Sequence, residues 1–245
     1  MSDASHPLFA LIHSPLTGPT AWQPVADYLW AWGHRVIAPD LSDTPGTAEP
    51  YWSQHVAAAV SAISRATAQG TYSVVLVAHS GAGPLLGAMG AALNVAPTAY
   101  VFADAGLPPD SPATRLDLIR AEGGEWVTEF ERFLRDGGRF PNWTDDDLRE
   151  ELPDPPAREG VLADLRPRGL DYFNEPLPRT PDVATLPGAY LHFTAAYDIH
   201  AAQATRWGWP VARQRGGHFA PVADPERTTA ALLALASAAA QRTAG

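Results

Sequence analysis

The chain has 245 residues, long for one small domain and short for two full ones, and its 46% hydrophobic and 18% charged residues are those of a globular protein with a sizeable core. Asp and Glu number 27 against 17 Lys and Arg, a formal net charge of −10, so long-range repulsion argues against nucleic acid and anionic membranes as partners. All 17 basic residues are Arg and cysteine is absent, which excludes lysine Schiff bases, a P-loop lysine, disulfides, thiolate nucleophiles and sulfur-bound metals.

The opening stretch MSDASHPLFALIHSP has neither a basic start nor a long apolar run before a cleavage site, so no secretory signal is expected and a cytoplasmic location follows by default. No segment approaches the roughly 18 apolar residues of a membrane span. Leu8–Ile12 reads as a first buried strand, followed by a helix over 20–32 and a strand over 35–38. A second helix is predicted over 51–69, with Val56, Ala59, Val60 and Ile63 at helical spacing behind a Ser53 cap. Strands follow over 73–78 and 99–103. Residues 189–194 and 211–214 supply two more, before an alanine-rich closing helix over 228–242. Apolar runs alternating with helices imply an α/β fold, a doubly wound and mainly parallel sheet covered on both faces.

Between Gly106 and Pro187 the rhythm breaks: charge and proline concentrate there and no strand pattern appears. The predicted organisation is therefore a core of residues 1–105 and 188–245 with a helical cap inserted over 106–187. Trp126, Phe130, Phe133, Tyr172 and Phe173 either line a lid over a pocket or form a satellite core that holds the insertion in place.

The chemistry concentrates at Ala78-His79-Ser80-Gly81-Ala82, where an apolar strand runs into a turn of small residues and then a helix. A nucleophile elbow needs small residues two before and two after its serine because the strained backbone packs closely, and Ala78 and Ala82 stand where glycine is usual. Strand-to-helix placement also aims the Gly81 N–H at an oxygen on which charge develops. A serine needs a base, and His218 in Arg215-Gly216-Gly217-His218-Phe219 supplies an imidazole in a turn late in the chain. The third group is a carboxylate just after a strand. Asp198 fits best, four residues beyond Thr194, and Asp104 at the end of the preceding strand is its competitor.

These residues, with Phe9-Ala10-Leu11-Ile12-His13, Trp22, Gly33-His34-Arg35-Val36 and Ala38-Pro39-Asp40-Leu41, resemble the α/β-hydrolase superfamily over nearly the whole chain. Within it the pattern is similar to the small-lidded branch of plant methylesterases and hydroxynitrile lyases, and to actinobacterial hydrolases. The resemblance implies a sheet of about eight strands, a cap after the sixth, and Ser80, Asp198 and His218 as nucleophile, acid and base. It also exposes a departure. Members usually read His-Gly-X after the first strand, X donating its N–H to the oxyanion, whereas this chain reads His13-Ser14-Pro15-Leu16 and Pro15 has no N–H. Losing one such donor typically costs about 3 kcal/mol of transition-state stabilisation. The Leu16 N–H or the Ser14 hydroxyl is the candidate replacement, with the loop expected to be rebuilt around Leu16.

The expected activity is hydrolysis of an ester, thioester or lactone of a small, largely apolar acyl compound through an acyl-enzyme. The alternatives are proton abstraction by His218 in lyase or cyclase chemistry, towards which the missing donor tilts, and ligand binding without turnover. His79 is expected to pack beneath the turn and His13 to steady the oxyanion loop. His192, Asp198, His200 and His218 lack zinc spacing, and TGPT at residues 17–20 is no dinucleotide fingerprint, so neither metal nor cofactor is expected. Asp145-Asp146-Asp147 with Glu150-Glu151 reads as a solvated helix start behind Thr144.

Overall fold

The computed structural model describes residues 7–44, 46–68, 70 and 72–242. The first six residues of the N-terminal reading and Gln69, the predicted end of the second helix, lie outside them. In chain order the core begins with β1 (Leu8–Ile12), α1 (Gln23–Ala31), β2 (Arg35–Ile37), α2 (Tyr51–Thr67), β3 (Val74–Ser80), α3 (Leu86–Ala92) and β4 (Ala99–Ala105). Five helices follow without a strand: α4 (Arg115–Glu122), α5 (Trp126–Arg135), α6 (Asp145–Leu148), α7 (Pro155–Ala163) and α8 (Leu170–Asn174). The chain then returns to β5 (Gly188–His192), α9 (Asp198–Arg206), β6 (Val211–Arg213), α10 (Ala220–Ala223) and α11 (Pro225–Gln241).

All pairings are parallel, in the order β2-β1-β3-β4-β5-β6. Among the described residues the sheet has six strands, fewer than the eight or so implied by the resemblance, and the insertion follows the fourth rather than the sixth; the strands coincide with the six apolar runs legible in the sequence, but the edge strands β2 and β6 are partly exposed and not buried as expected. Strand alternation divides their side chains between two layers. Leu8, Ala10, Ile12, Leu76, Phe102 and Tyr190 pack with Val56, Ala59 and Ile63 of α2 and with Leu86 and Met89 of α3. Phe9, Leu11, Val75, Val77, Val101 and Leu191 pack with Val25 and Leu29 of α1 and with Leu232, Leu235 and Ala239 of α11. Because β3 and β4 are covered on both faces, functional groups can emerge only at the carboxyl ends of the strands.

Ser53 does not cap α2. Pro50 occupies the N-cap and offers no side-chain oxygen, so the carboxylate of Glu175 accepts from the N–H groups of Tyr51 (2.8 Å) and Trp52 (3.0 Å) instead. Among the described residues no helix is long and apolar enough to cross a membrane.

Candidate active site

The turn at the end of β3 holds Ser80 at φ 56°, the left-handed region that an L-residue enters only under constraint from its surroundings. Packing supplies the constraint. Ala78 and Ala82 are fully buried, and a Cβ placed on Gly83 would stand 1.9 Å from the Gly106 carbonyl oxygen. The small residues thus let the turn lie against the end of β4 while Ser80 projects from the sheet edge.

His218 is held from three directions. Its Nδ1–H donates to Asp104 Oδ2 at 2.9 Å, which leaves Nε2 as the acceptor nitrogen. Its carbonyl oxygen accepts from His79 Nε2–H at 2.9 Å, and the two imidazoles pack with centroids 4.4 Å apart. The next N–H, that of Phe219, donates to Glu151 in the segment between β4 and β5, and a Cβ on Gly217 would overlap that carboxylate. Burial lowers the His79 pKa to about 3, so this imidazole stays neutral beside His218.

The carboxylate facing His218 is therefore Asp104 and not Asp198, a correction to the sequence reading. Asp198 begins α9 with its side chain 61% exposed and pairs with His192 Nε2 at 3.0 Å. Asp104 is fully buried, and the cause lies in strand register. His79 pairs with Ala103 and Ser80 with Ala105, so Asp104 is an extra residue bulged out of the ladder at φ 43°. The Tyr190 hydroxyl pins the bulge by donating to the Ala105 carbonyl (2.8 Å) and accepting its N–H (3.1 Å). Asp104 Oδ1 accepts from the N–H groups of Phe193 (2.9 Å) and Thr194 (3.1 Å), while Oδ2 accepts from the Thr194 hydroxyl (2.7 Å) and His218. Burial alone would raise the Asp104 pKa; His218 and the other donors outweigh it and hold the carboxyl below its usual range.

On the opposite side of the turn, His13 Nδ1–H donates to the Ser14 carbonyl (2.8 Å) and Nε2 accepts from the Leu41 N–H (3.1 Å), with burial lowering its pKa to about 4. The Ser14 carbonyl also accepts from the Thr17 N–H at 2.9 Å, closing a tight turn around Pro15. The Leu16 N–H, expected as the replacement donor, is spent on Ser14 Oγ at 3.3 Å. Ser14 Oγ would lie 3.2 Å from a Cβ on Gly81, so its own hydroxyl proton is the donor left beside that residue.

Two chambers meet at Ser80. One, of about 330 Å³, is walled by Leu118, Ile119, Trp126, Phe130, Phe140 and Phe173 among others. The second, of about 390 Å³, is bordered by Ser14, His79, His218, Phe219, Trp143 and Glu151. Of the aromatic residues singled out in the insertion, Phe130, Tyr172 and Phe173 both border the first chamber and pack, with Phe140, on Leu116 and Leu134 as a satellite core, while Trp126 borders the chamber without joining that core. Phe133 does not line the chamber. The acidic stretch is a capped helix start, with Thr144 donating to Asp147 (2.7 Å), except that Glu151 reaches the His218 loop.

Ser80 and His218 border the same chamber, but among the described residues no hydrogen bond joins them directly. Ser80 Oγ instead meets the Tyr197 hydroxyl at 3.2 Å. Sequence reasoning missed Tyr197 and the part played by Glu151, because an aromatic residue in a turn and a glutamate in an acidic run carry no signal of what they face. Asp104 did carry one: it is the lone carboxylate in an apolar strand, and a buried charge demands partners. Such an arrangement can move a proton from a serine hydroxyl to an imidazole whose other nitrogen is fixed by a carboxylate.

Residues 9–232 match the model of the family described as the alpha/beta hydrolase family. Among solved structures, the chain is similar to an extracellular alpha/beta-hydrolase from a Paenibacillus species that shares structural and functional homology with tobacco salicylic acid binding protein 2, at 18% identity and TM-score 0.73 over 94% of this chain and 98% of that one. Tomato methylketone synthase I aligns at 15% identity and TM-score 0.67, covering 95% and 98% of the two chains. A pyrethroid hydrolase from Sphingobium faniae aligns at 21% and TM-score 0.66, covering 97% and 100%. No curated protein matches the sequence.

Proposed function

The chain belongs to the alpha/beta hydrolase family, and on that premise we propose that it is a serine hydrolase acting on an ester, thioester or lactone of a small, largely apolar acyl compound. The observation that carries this reading is the 2.9 Å bond from His218 Nδ1 to a buried Asp104, which turns Nε2 into a base in the chamber that Ser80 shares. Ser80 Oγ attacks the acyl carbon as its proton passes to His218 Nε2. The oxyanion is held by the Gly81 N–H and the Ser14 hydroxyl. Collapse breaks the bond to the leaving group, which takes the proton from Nε2, and water then gives its proton to His218 as it attacks the acyl-enzyme and frees Ser80. The apolar chamber takes the acyl group, and the insertion of residues 106–187 acts as its lid.

Ser80→Ala is expected to abolish hydrolysis of short-chain p-nitrophenyl esters while the melting temperature is kept, and a fluorophosphonate probe is expected to label wild type at Ser80. Undiminished turnover by the variant rejects the proposal. A second reading, proton abstraction by His218 without a covalent intermediate, draws support from Pro15 and from the absence of a direct Ser80–His218 bond. Failure of the probe to label an enzyme that converts substrate would favour it.

A further inference from the structure

Tyr197 ends the 3₁₀ turn Ala195–Tyr197 that follows β5, and its ring lies parallel to the His218 imidazole, at an interplanar angle of 4° and 5.3 Å between centroids. Its hydroxyl is the hydrogen-bond partner of Ser80 Oγ, at 3.2 Å, and it borders both chambers. We infer that Tyr197 is a catalytic residue that donates a hydrogen bond to the leaving-group oxygen of the substrate, an assignment that rests on the acyl-enzyme reading above.

Once Ser80 gives its proton to His218, its oxygen can only accept, so the phenol becomes the donor of the pair. Burial pushes the Tyr197 phenol above the usual tyrosine range, so it keeps its proton. Attack then binds Ser80 Oγ to the acyl carbon, which brings two substrate oxygens close to the phenol, the oxyanion and the leaving oxygen. The oxyanion faces Gly81 and Ser14. The leaving oxygen must face Nε2 to collect its proton, and of the rings packed on that imidazole, His79 and Tyr197 among them, it is Tyr197 whose hydroxyl also meets Ser80 Oγ. The proton therefore travels from His218 to the leaving oxygen as the C–O bond breaks, while the phenol retains its own hydrogen and stabilises the charge built up in between. The water that hydrolyses the acyl-enzyme occupies the same place. Because sulfur is a weak acceptor, the donor is spent to best effect on oxygen esters and lactones rather than thioesters.

The test compares two leaving groups on one acyl chain. Tyr197→Phe removes one oxygen and keeps the stacked ring. With ethyl butyrate, whose alkoxide leaves poorly, kcat/KM is expected to fall on the order of 10²-fold, whereas with p-nitrophenyl butyrate, whose phenolate leaves unaided, it is expected to fall by less than about threefold. Equal losses on both esters would overturn the assignment by placing the phenol on the oxyanion or the nucleophile. No loss on either would overturn any catalytic part for it. Failure of the acyl-enzyme reading shows itself separately, as wild type that escapes the fluorophosphonate or as Ser80→Ala that still turns over either ester.

Discussion

The two sides of Ser80 are built to different standards. On the base side, Asp104 accepts four hydrogen bonds, His218 is held through its ring nitrogen, its carbonyl and the following N–H, and Tyr190 clamps the bulge that aims the carboxylate. On the side proposed to hold the oxyanion, Pro15 has no N–H, the Leu16 N–H is occupied by Ser14, and the Ser14 hydroxyl would have to stand in for a backbone donor. A fixed base and carboxylate cost little reorganisation during reaction, whereas a hydroxyl rotor must be oriented each time. Catalytic loss should therefore be steep and specific on the base side and graded on the other.

The largest expected effect is on the carboxylate. Asp104→Asn should lower kcat by about 10³- to 10⁴-fold with little change in KM, because the amide leaves the imidazole in the wrong tautomer. The matched variant Asp198→Asn should hold kcat within about threefold and stability within about 1 kcal/mol, since it weakens only the ion pairs that a largely exposed carboxylate makes with His192 and, at 4.0 Å, with Arg213. Steady-state kinetics on the two proteins decides between them, and a larger loss in Asp198→Asn would reverse the correction made from the geometry.

The carboxylate that faces His218 lies where the sequence stops being legible. The six strands and helices α1, α2, α3 and α11 can be read from apolar runs and their spacing, whereas α9, α10 and the separate helices of the insertion cannot; Ser80 and His218 can be read from chain order, because burial and turn chemistry act locally. Choosing between Asp104 and Asp198 depends on a one-residue bulge between β3 and β4, which is a matter of pairing between strands and leaves no periodic trace. Tyr197 and Asp198 are neighbours in one turn, yet one faces Ser80 and the other solvent, and only the backbone path after β5 sorts them. The helix cap from Glu175 to α2 spans more than a hundred residues and was equally beyond local reading.

On the weaker side, Ser14→Ala is expected to lower kcat by about 10²-fold while sparing KM, the usual cost of one oxyanion donor. The loss should be similar for ethyl and p-nitrophenyl esters, because the oxyanion is common to both, and this sets it apart from the selective loss expected of Tyr197→Phe. Wild-type kcat in Ser14→Ala would mean that the Leu16 N–H, released from Ser14, takes the place of the hydroxyl beside the Gly81 N–H.

The remaining effect is shared by both sides and appears in stability rather than in rate. Burial lowers His13 on the oxyanion side to a pKa of about 4, and His79 on the base side to about 3, as it does His55 beneath the insertion. Folded pKa values below the unfolded value of 6.5 mean that the unfolded chain takes up these protons first, so stability is full above pH 6.5 and is lost as pH falls towards 4 and 3. Each histidine contributes at most about 1.4 kcal/mol per pH unit within that window. Thermal melts between pH 7 and pH 4 should show a falling transition temperature, and His79→Asn should flatten the fall by roughly one histidine's share. A melting temperature constant over that range would mean that these imidazoles gain protons in the folded state, and with a charged His79 beneath His218 the base side would lose the neutral support on which its precision rests.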